Sequence, residues 1–409
     1  MNIIFLHQNF PAQFRSVAGA LQAAGNNTLL AVVPLGITNP STIPLRTYAW
    51  PAKRKHILHD FAGPYAESTD RASAVADTLL AVKSEGFVPD LVVGHGGWGE
   101  TLFVRDVFPE VPILLYAEFF HSARGLDVGF DPEIARTDSF QQTKKVRARS
   151  VVMTQGLFDA TRGVAPTHWQ ANSFPPLLRD KIDVVHEGID TDLLRPDSEA
   201  YIALQREGIV FRPGDEVVTF INRNLEHYRG FHVFMRALPA ILRSRPEARI
   251  IVIGGNSVSY GPAAPAGTTW KQQLLSELSG QLDLTRLHFV GKVSGSVLRH
   301  IMQVSAAHVY LTYPFVLSWS MLEAMSAGAL VIASRTGPVT EVIEDGRNGI
   351  LREFFDVGGI AEAVIAALSE PRAFESIRIA GRQTIVDRYD LKRICLPAWL
   401  RLIERIAQA

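Results

Sequence analysis

Three groups of residues in this chain have the type and spacing to do chemistry. Glu323 is a lone carboxylate in an apolar helical run, SWSMLEAMSAG, placed just after the carboxyl end of a strand, where open α/β sheets bind ligands. A carboxylate there suits a vicinal diol, because each oxygen can accept one hydroxyl proton. Arg223 and Arg229 stand in INRNLEHYRGF between a strand and a helix, which places two planar guanidinium forks where a phosphate group would lie. Cations aimed at a phosphate that gains charge as a bond breaks lower the barrier, at roughly 10²–10³ in rate per donor. Gly94, Gly96 and Gly99 spell G-x-G-x-x-G after a strand, with Glu118 about 20 residues on, the form of a dinucleotide-binding turn. Against that form, the unit is not the first of its kind in the chain, and His95 and Trp98 would crowd the turn.

Composition narrows the classes. A length of 409 residues suits two domains, and 41 basic against 41 acidic residues demand neither nucleic acid nor an anionic membrane. No apolar run reaches the ~18 residues of a spanning helix. The opening MNIIFLHQNF reads as a first strand and not as a signal peptide. One cysteine, Cys395, excludes an intrachain disulfide and a cysteine-rich metal site. The expected location is cytoplasmic, with peripheral contact at the inner membrane face left open. The basic cluster Lys53-Arg54-Lys55-His56 reads as solvated surface, with an anionic acceptor or membrane role as the alternative.

The elements that must position these residues alternate in kind. Asn2–Leu6, Thr28–Val33, Ser150–Thr154 and Asp183–Gly188 read as strands of a first domain, residues 1–190, with helices over Pro11–Ala24, Ser68–Glu85 and Gly156–Gly163. A second domain, residues 196–386, restarts with strand Val217–Asn222, helix Phe231–Ser244 and strand Ile250–Ile253. Helix Val297–Val304, strand Ala307–Leu311 and the stretch Tyr313–Leu351 follow, and helix Leu391–Gln408 is expected to cross back onto the first domain. The fold class is α/β, two doubly wound Rossmann-like domains in series.

The second half resembles glycosyltransferase family 4, the retaining GT-B enzymes. VVHEGIDTDLLRP, INRNLEHYRGFHVFMRAL, LHFVGKVS and EAMSAGALVIAS with EDGRNGIL carry the resemblance, in order, over Asp183–Leu368. It implies a GT-B fold with an interdomain cleft that closes about a hinge, and transfer of a sugar from a UDP- or GDP-sugar to a glycan, lipid-linked or small-molecule acceptor. No metal or other cofactor and no nucleic acid are expected. Glu323 matches the carboxylate that holds the donor ribose, and Arg223 and Arg229 the pair that grips the diphosphate, the loop being one residue longer and Arg replacing Lys. Phe315 stands where the family has a second Glu, so donor-sugar hydroxyls must find other partners or be missing. Ser318, Trp319 and Ser320 form a helix start suited to phosphate, with Trp319 equally readable as core. Gly291, Lys292 and Val293 fall where the base is held.

The first half is less diagnostic. Glu118 replaces a family His and reads either as a stabiliser of the oxocarbenium-like transition state or as a helix start. HQNFPAQF replaces a Gly-Gly turn, so the N–H groups of Gln8, Asn9 and Phe10 are expected to serve phosphate or acceptor. His7 reads equally as a packed strand-end residue, and His95 lines the same edge. Two alternatives stand beside the transferase reading: an NAD(P)-binding oxidoreductase built on Gly94, Gly96, Gly99 and Glu118, and a sugar-nucleotide-binding protein without turnover.

Overall fold

Apolar runs such as IIFL, LLAVV, ILLY and IIVI are buried on both faces, which selects parallel strands covered by helices. A computed structural model describes residues 1–37, 41–50, 59, 61–134, 139–204 and 208–408. The cluster Lys53–His56 lies outside the described residues. Two compact units result, one of Met1–Gly129, Arg136–Gly188 and Lys392–Ala409, the other of Phe130–Ala135 and Ile189–Leu391.

The first unit holds a seven-stranded parallel sheet. Its strands are β1 (Asn2–Leu6), β2 (Thr28–Pro34), β3 (Leu45–Tyr48), β4 (Leu91–His95), β5 (Ile113–Tyr116), β6 (Arg162–Ala165) and β7 (Ile182–Val184), ordered β3-β2-β1-β4-β5-β6-β7. The order reverses between β1 and β4, so the crevice of this sheet opens where β1 runs into His7 and β4 ends in His95. Helix Leu396–Ala407 closes the unit: Trp399 stacks on Tyr116 at 6.5 Å and donates its indole N–H to the His186 carbonyl at 3.1 Å.

In the second unit β8 (Ile202–Leu204) and β9 (Ile209–Phe211) form an antiparallel pair. The main sheet has six parallel strands, β10 (Val217–Asn224), β11 (Arg249–Gly255), β12 (Leu287–Gly291), β13 (Ala307–Tyr310), β14 (Leu330–Ser334) and β15 (Ile350–Arg352), ordered β12-β11-β10-β13-β14-β15. Its order reverses between β10 and β13. The carboxyl ends of those two strands carry Arg229 and the start of the Tyr313 stretch.

Two sequence expectations fail here. Ser150–Thr154 is not a strand; Val151–Asp159 is a helix, and the strand lies at Arg162–Ala165, inside what read as helix and turn. The β-branched pair Val151-Val152 suggested a strand, yet Val152, Met153, Gly156 and Leu157 share the buried face of one helix, and tertiary burial outweighs a local propensity of tenths of a kcal/mol. The second failure concerns the glycine turn. After β4 no helix begins until the four residues Val104–Val107, so no helix N-terminus meets Gly99. A Cβ on Gly94, Gly96 or Gly99 would lie 2.4 Å from Thr101, 2.8 Å from Met153 or 2.6 Å from Ser68. These glycines admit the unit's own packing and not a pyrophosphate. The short strands β3, β8, β9 and β15, of three or four residues, are too brief to leave a period in the sequence.

Candidate functional site

In the second unit the turn His227–Arg229 follows β10 and is closed by Gly230, which takes φ 66° as the cap of helix Phe231–Ser244. A methyl on Gly230 would meet Leu311 Cβ at 2.3 Å. Gly230→Ala is therefore expected to lose about 2–4 kcal/mol of stability, combining left-handed strain with overpacking; a thermal-unfolding midpoint equal to that of the parent would refute this account of the turn.

The turn buries Arg229, leaving it 6% exposed. Its Nη1 donates to Thr312 Oγ1 at 2.7 Å, the Val316 carbonyl at 2.9 Å and Tyr310 Oη at 3.4 Å. The guanidinium carbon lies 5.4 Å from the Tyr260 ring centre and 6.0 Å from that of Phe315. All of these partners are neutral, and among the described residues no carboxylate comes within ion-pair distance. Burial disfavours this charge, and the buried Glu226 carboxylate offsets that cost at longer range without pairing with the guanidinium; its ion-pairing position is left for an anion.

Tyr310 connects that cation to the next element, its hydroxyl accepting from Ser318 N at 2.8 Å. Ser318 caps helix Trp319–Ser326, its Oγ accepting from Ser320 N at 3.4 Å, so the positive end of this helix lies beside Arg229 through one shared tyrosine. Within the helix Glu323 is half-buried and its carboxylate has no hydrogen-bond partner among the described residues; burial raises its pKa from 4.5 to about 7. Trp319 is 41% exposed, which places it on the surface and not in the core. Phe315 is 3% exposed, packed on Tyr260 at 4.8 Å and Tyr228 at 5.6 Å. It forms part of the wall over Arg229 and offers little open surface.

The other expected donor residues sit at neighbouring strand ends. Arg223 does not follow the strand: β10 runs through Asn224, and Arg223 is exposed within it. Its backbone oxygen, Asn224 Oδ1 and Lys292 Cε all crowd the position of a Cβ on Gly255, so the ends of β10 and β11 and the residues after β12 form one packed edge. Gly291 takes φ 69° and delivers exposed Lys292 and half-buried Val293 to that edge.

Sequence reasoning missed Glu226. It is 1% exposed, and its carboxylate accepts from the backbone N–H groups of Ser259, Tyr260 and Gly261 at 3.1, 3.1 and 2.9 Å. These bonds hold the Pro- and Gly-rich loop against the Arg229 turn and set Tyr260 over the guanidinium. The signal was a lone acid three residues before Arg229, in a segment otherwise destined for burial.

Asp131, His227 and His232 are buried with ligand atoms within 4.8 Å of one another. The two imidazoles stack at 4.1 Å with 20° between planes, so no point lies in both rings at bonding distance, and the trio does not fit a metal ion. Burial, with His227 and Arg236 nearby, lowers the His232 pKa to about 2. Asp131 accepts the Tyr313 hydroxyl and Glu133 pairs with Arg236, fastening Phe130–Ile134 to this unit.

In the first unit His7 is 1% exposed, its Nε2 meets Gln13 Oε1 at 2.9 Å, and burial lowers its pKa to about 4. It also consumes donors expected to face a ligand. Asn9 N donates to His7 Nδ1 at 2.9 Å and Phe10 N to the His7 carbonyl at 3.3 Å, while the Phe10 side chain is buried. Gln8 is half-buried beside them. His95 stacks on Trp98 at 4.0 Å and faces Glu118, which begins no helix; its Oε2 lies 3.9 Å from His95 Nε2.

Among the described residues no helix is long and apolar enough to cross a membrane. A family model for the glycosyl transferase family 4 group matches residues 30–194, and one for glycosyl transferases group 1 matches residues 215–370. The D-inositol 3-phosphate glycosyltransferase of Streptomyces scabiei is 29% identical over 232 residues, which cover 54% of this chain and 49% of that protein. The chain spans about half the length of the curated relatives it matches. Among solved structures, Anabaena HepE in complex with UDP-glucose aligns with a TM-score of 0.64 at 16% identity, over 99% of this chain and 100% of that one. Sucrose-phosphate synthase from Thermosynechococcus elongatus aligns with a TM-score of 0.72 at 16% identity over the whole of both chains. These matches overturn the oxidoreductase alternative, as the packing of Gly94, Gly96 and Gly99 does on physical grounds.

Proposed function

The chain belongs to the glycosyltransferase family 4 group, with a GT-B fold, and we propose that it moves a sugar from a UDP- or GDP-sugar to a hydroxyl of a glycan, lipid-linked or small-molecule acceptor, with retention at the anomeric carbon. The observation that carries this reading is the buried Arg229, which has only neutral partners and is joined through Tyr310 to a helix N-terminus. A diphosphate supplies the missing anion. Glu323, desolvated and unpartnered, takes the ribose hydroxyls as a carboxylate.

In the transfer, the bond from the anomeric carbon to the diphosphate oxygen breaks with its electron pair on the phosphate. Arg229 and the helix N-terminus stabilise that charge, and Arg223 and Lys292 add cationic reach from the neighbouring strand ends. The acceptor hydroxyl forms the new bond on the same face, and its proton passes to the leaving phosphate, so no protein base is needed. The cations in this scheme are side chains, and the proposal includes no metal.

The test is a thermal-shift screen with UDP, GDP, ADP, their glucose conjugates and NAD, followed by donor hydrolysis. A ligand at 100 times its Kd adds about 2.7 kcal/mol of apparent stability. Stabilisation by one nucleoside diphosphate and its sugar, with slow release of that sugar, is the expected result. No response to any nucleotide would sink the proposal; binding without turnover would favour a non-catalytic sugar-nucleotide protein.

A further inference from the structure

A parallel sheet covered by helices gathers helix carboxyl ends, with their unpaired carbonyls, at the amino ends of its strands. In the second unit helices Gly295–Gln303, Trp319–Ser326 and Val357–Ser369 end there, on the edge away from Arg229. Arginines meet the carbonyls. Arg382 donates to those of Ser326, Leu194 and Thr191 at 2.6, 3.0 and 3.2 Å, and Arg245 pairs with Glu216 and reaches the Leu368 carbonyl at 3.4 Å. These two side chains are spent on the fold.

Arg378 and Arg372 are not. Arg378 Nη2 donates to the Ala306 carbonyl at 3.0 Å and its Nε is buried without a partner, but its Nη1, which is not sealed in the interior, makes no hydrogen bond among the described residues. Arg372 is exposed, and its guanidinium makes none. Neither forms an ion pair among the described residues. Burial lowers the Arg378 pKa, with Glu375 opposing it at longer range.

Two cavities meet at Arg378. The larger, about 550 Å³, is lined by Arg372, Arg382, Glu375 and Ile379, so three guanidinium groups face one carboxylate. The smaller, about 360 Å³, is lined by Ser198 and by the exposed carboxylates Asp197 and Asp215. Both volumes lie in the range that takes small molecules. Pro196 walls both, and a Cβ on Gly328, at φ 87°, would lie 2.8 Å from its ring, so chain packing fixes this wall.

The two linings ask for different groups. A cation meets repulsion from Arg372 and Arg378, whereas a phosphate dianion offers several oxygens to two planar forks. Asp197 and Asp215 keep that charge out of the smaller cavity and instead accept hydroxyl protons. We infer that this edge of the second unit binds a small phosphomonoester with a hydroxylated body, its phosphate on Arg372 and Arg378 and its hydroxyls toward Asp197 and Asp215. The site is separate from Arg229, which follows the opposite ends of β10 and β13, and it does not rest on the transferase reading.

The experiment is isothermal titration calorimetry on the full chain with ribose 5-phosphate, ribose and inorganic phosphate. Ribose 5-phosphate should bind saturably, more tightly than inorganic phosphate, and equally well to the parent and to Arg229→Met. Arg372→Gln removes an exposed group that holds nothing in the fold, and it should weaken that binding about tenfold or more, because a charge-assisted donor is lost. Arg378→Gln should do the same. An unfolding midpoint equal to that of the parent verifies each variant. Absence of saturable binding overturns the site, and so does binding that Arg372→Gln and Arg378→Gln leave unchanged. Binding lost in Arg229→Met but kept in Arg378→Gln would place the phosphate at the donor edge and overturn it as well. Ribose 5-phosphate bound no more tightly than inorganic phosphate would overturn the role of Asp197 and Asp215.

Discussion

Arg229→Met is expected to lower donor turnover by roughly 10²–10³-fold while leaving the folded state as stable as the parent or more so. Methionine keeps much of the apolar stem between Tyr260 and Phe315 but carries no charge. The unliganded protein holds this guanidinium buried against Tyr310, Thr312 and Val316, with Glu226 acting on it at longer range and no ion-pair partner among the described residues. Removing it relieves a desolvation cost and forfeits three bonds to neutral acceptors, terms that roughly offset. A site that buries a charge without an ion-pair partner trades stability for function. Arg229→Lys separates charge from shape: an ammonium cannot reproduce the fork over the Tyr260 and Phe315 rings, so recovery should be partial. The measurements are donor hydrolysis and chemical unfolding on the same samples. Unaltered hydrolysis in Arg229→Met would remove this residue from the site.

The second large effect is a pH dependence set by Glu323. Burial raises its pKa from 4.5 to about 7. A carboxyl whose folded pKa is raised favours the folded state while protonated. Its contribution is therefore fully present below about pH 4.5 and is lost as pH rises through about 7. The unliganded protein should lose thermal stability across that window, and Glu323→Gln should flatten that part of the profile. Donor binding runs the opposite way, because the ionised form accepts both ribose hydroxyls. With a pKa of about 7, the binding-competent fraction rises roughly tenfold between pH 6 and pH 8. A nucleotide sugar is the right probe, since its diphosphate has no group titrating in that range. Affinity that is flat from pH 6 to pH 8 in the parent, or that climbs equally in Glu323→Gln, would refute the ribose role.

Both predictions begin from residues that pattern alone singled out, and both draw their size from surroundings that pattern could not supply. Arg229 was legible because a cation between a strand and a helix belongs at a crevice. Its burial among neutral hydrogen-bond partners was not, since Tyr310 and Thr312 lie more than 80 positions away in the chain. Glu226 reads in sequence as a neighbouring surface acid, yet folding buries it beneath the backbone of Ser259–Gly261. In the other direction, Asn9 and Phe10 offered free N–H groups on paper, and His7 uses both. The glycines at Gly94, Gly96 and Gly99 carried a ligand-binding form, and Thr101, Met153 and Ser68 fill the space beside them.

What the sequence determined by itself is the alternation of buried strands and amphipathic helices, and with it two parallel sheets whose active edges lie at the strand ends. That alternation is local: a run of three to eight residues decides whether one face or both must leave water. Only the tertiary structure decided the electrostatics of the site. Whether Arg229 has an ion-pair partner and whether Glu323 is desolvated depend on which distant strands become neighbours. Strand order is set by the packing of whole units, and a charge buried by one neighbour differs by several kcal/mol from the same charge left in water.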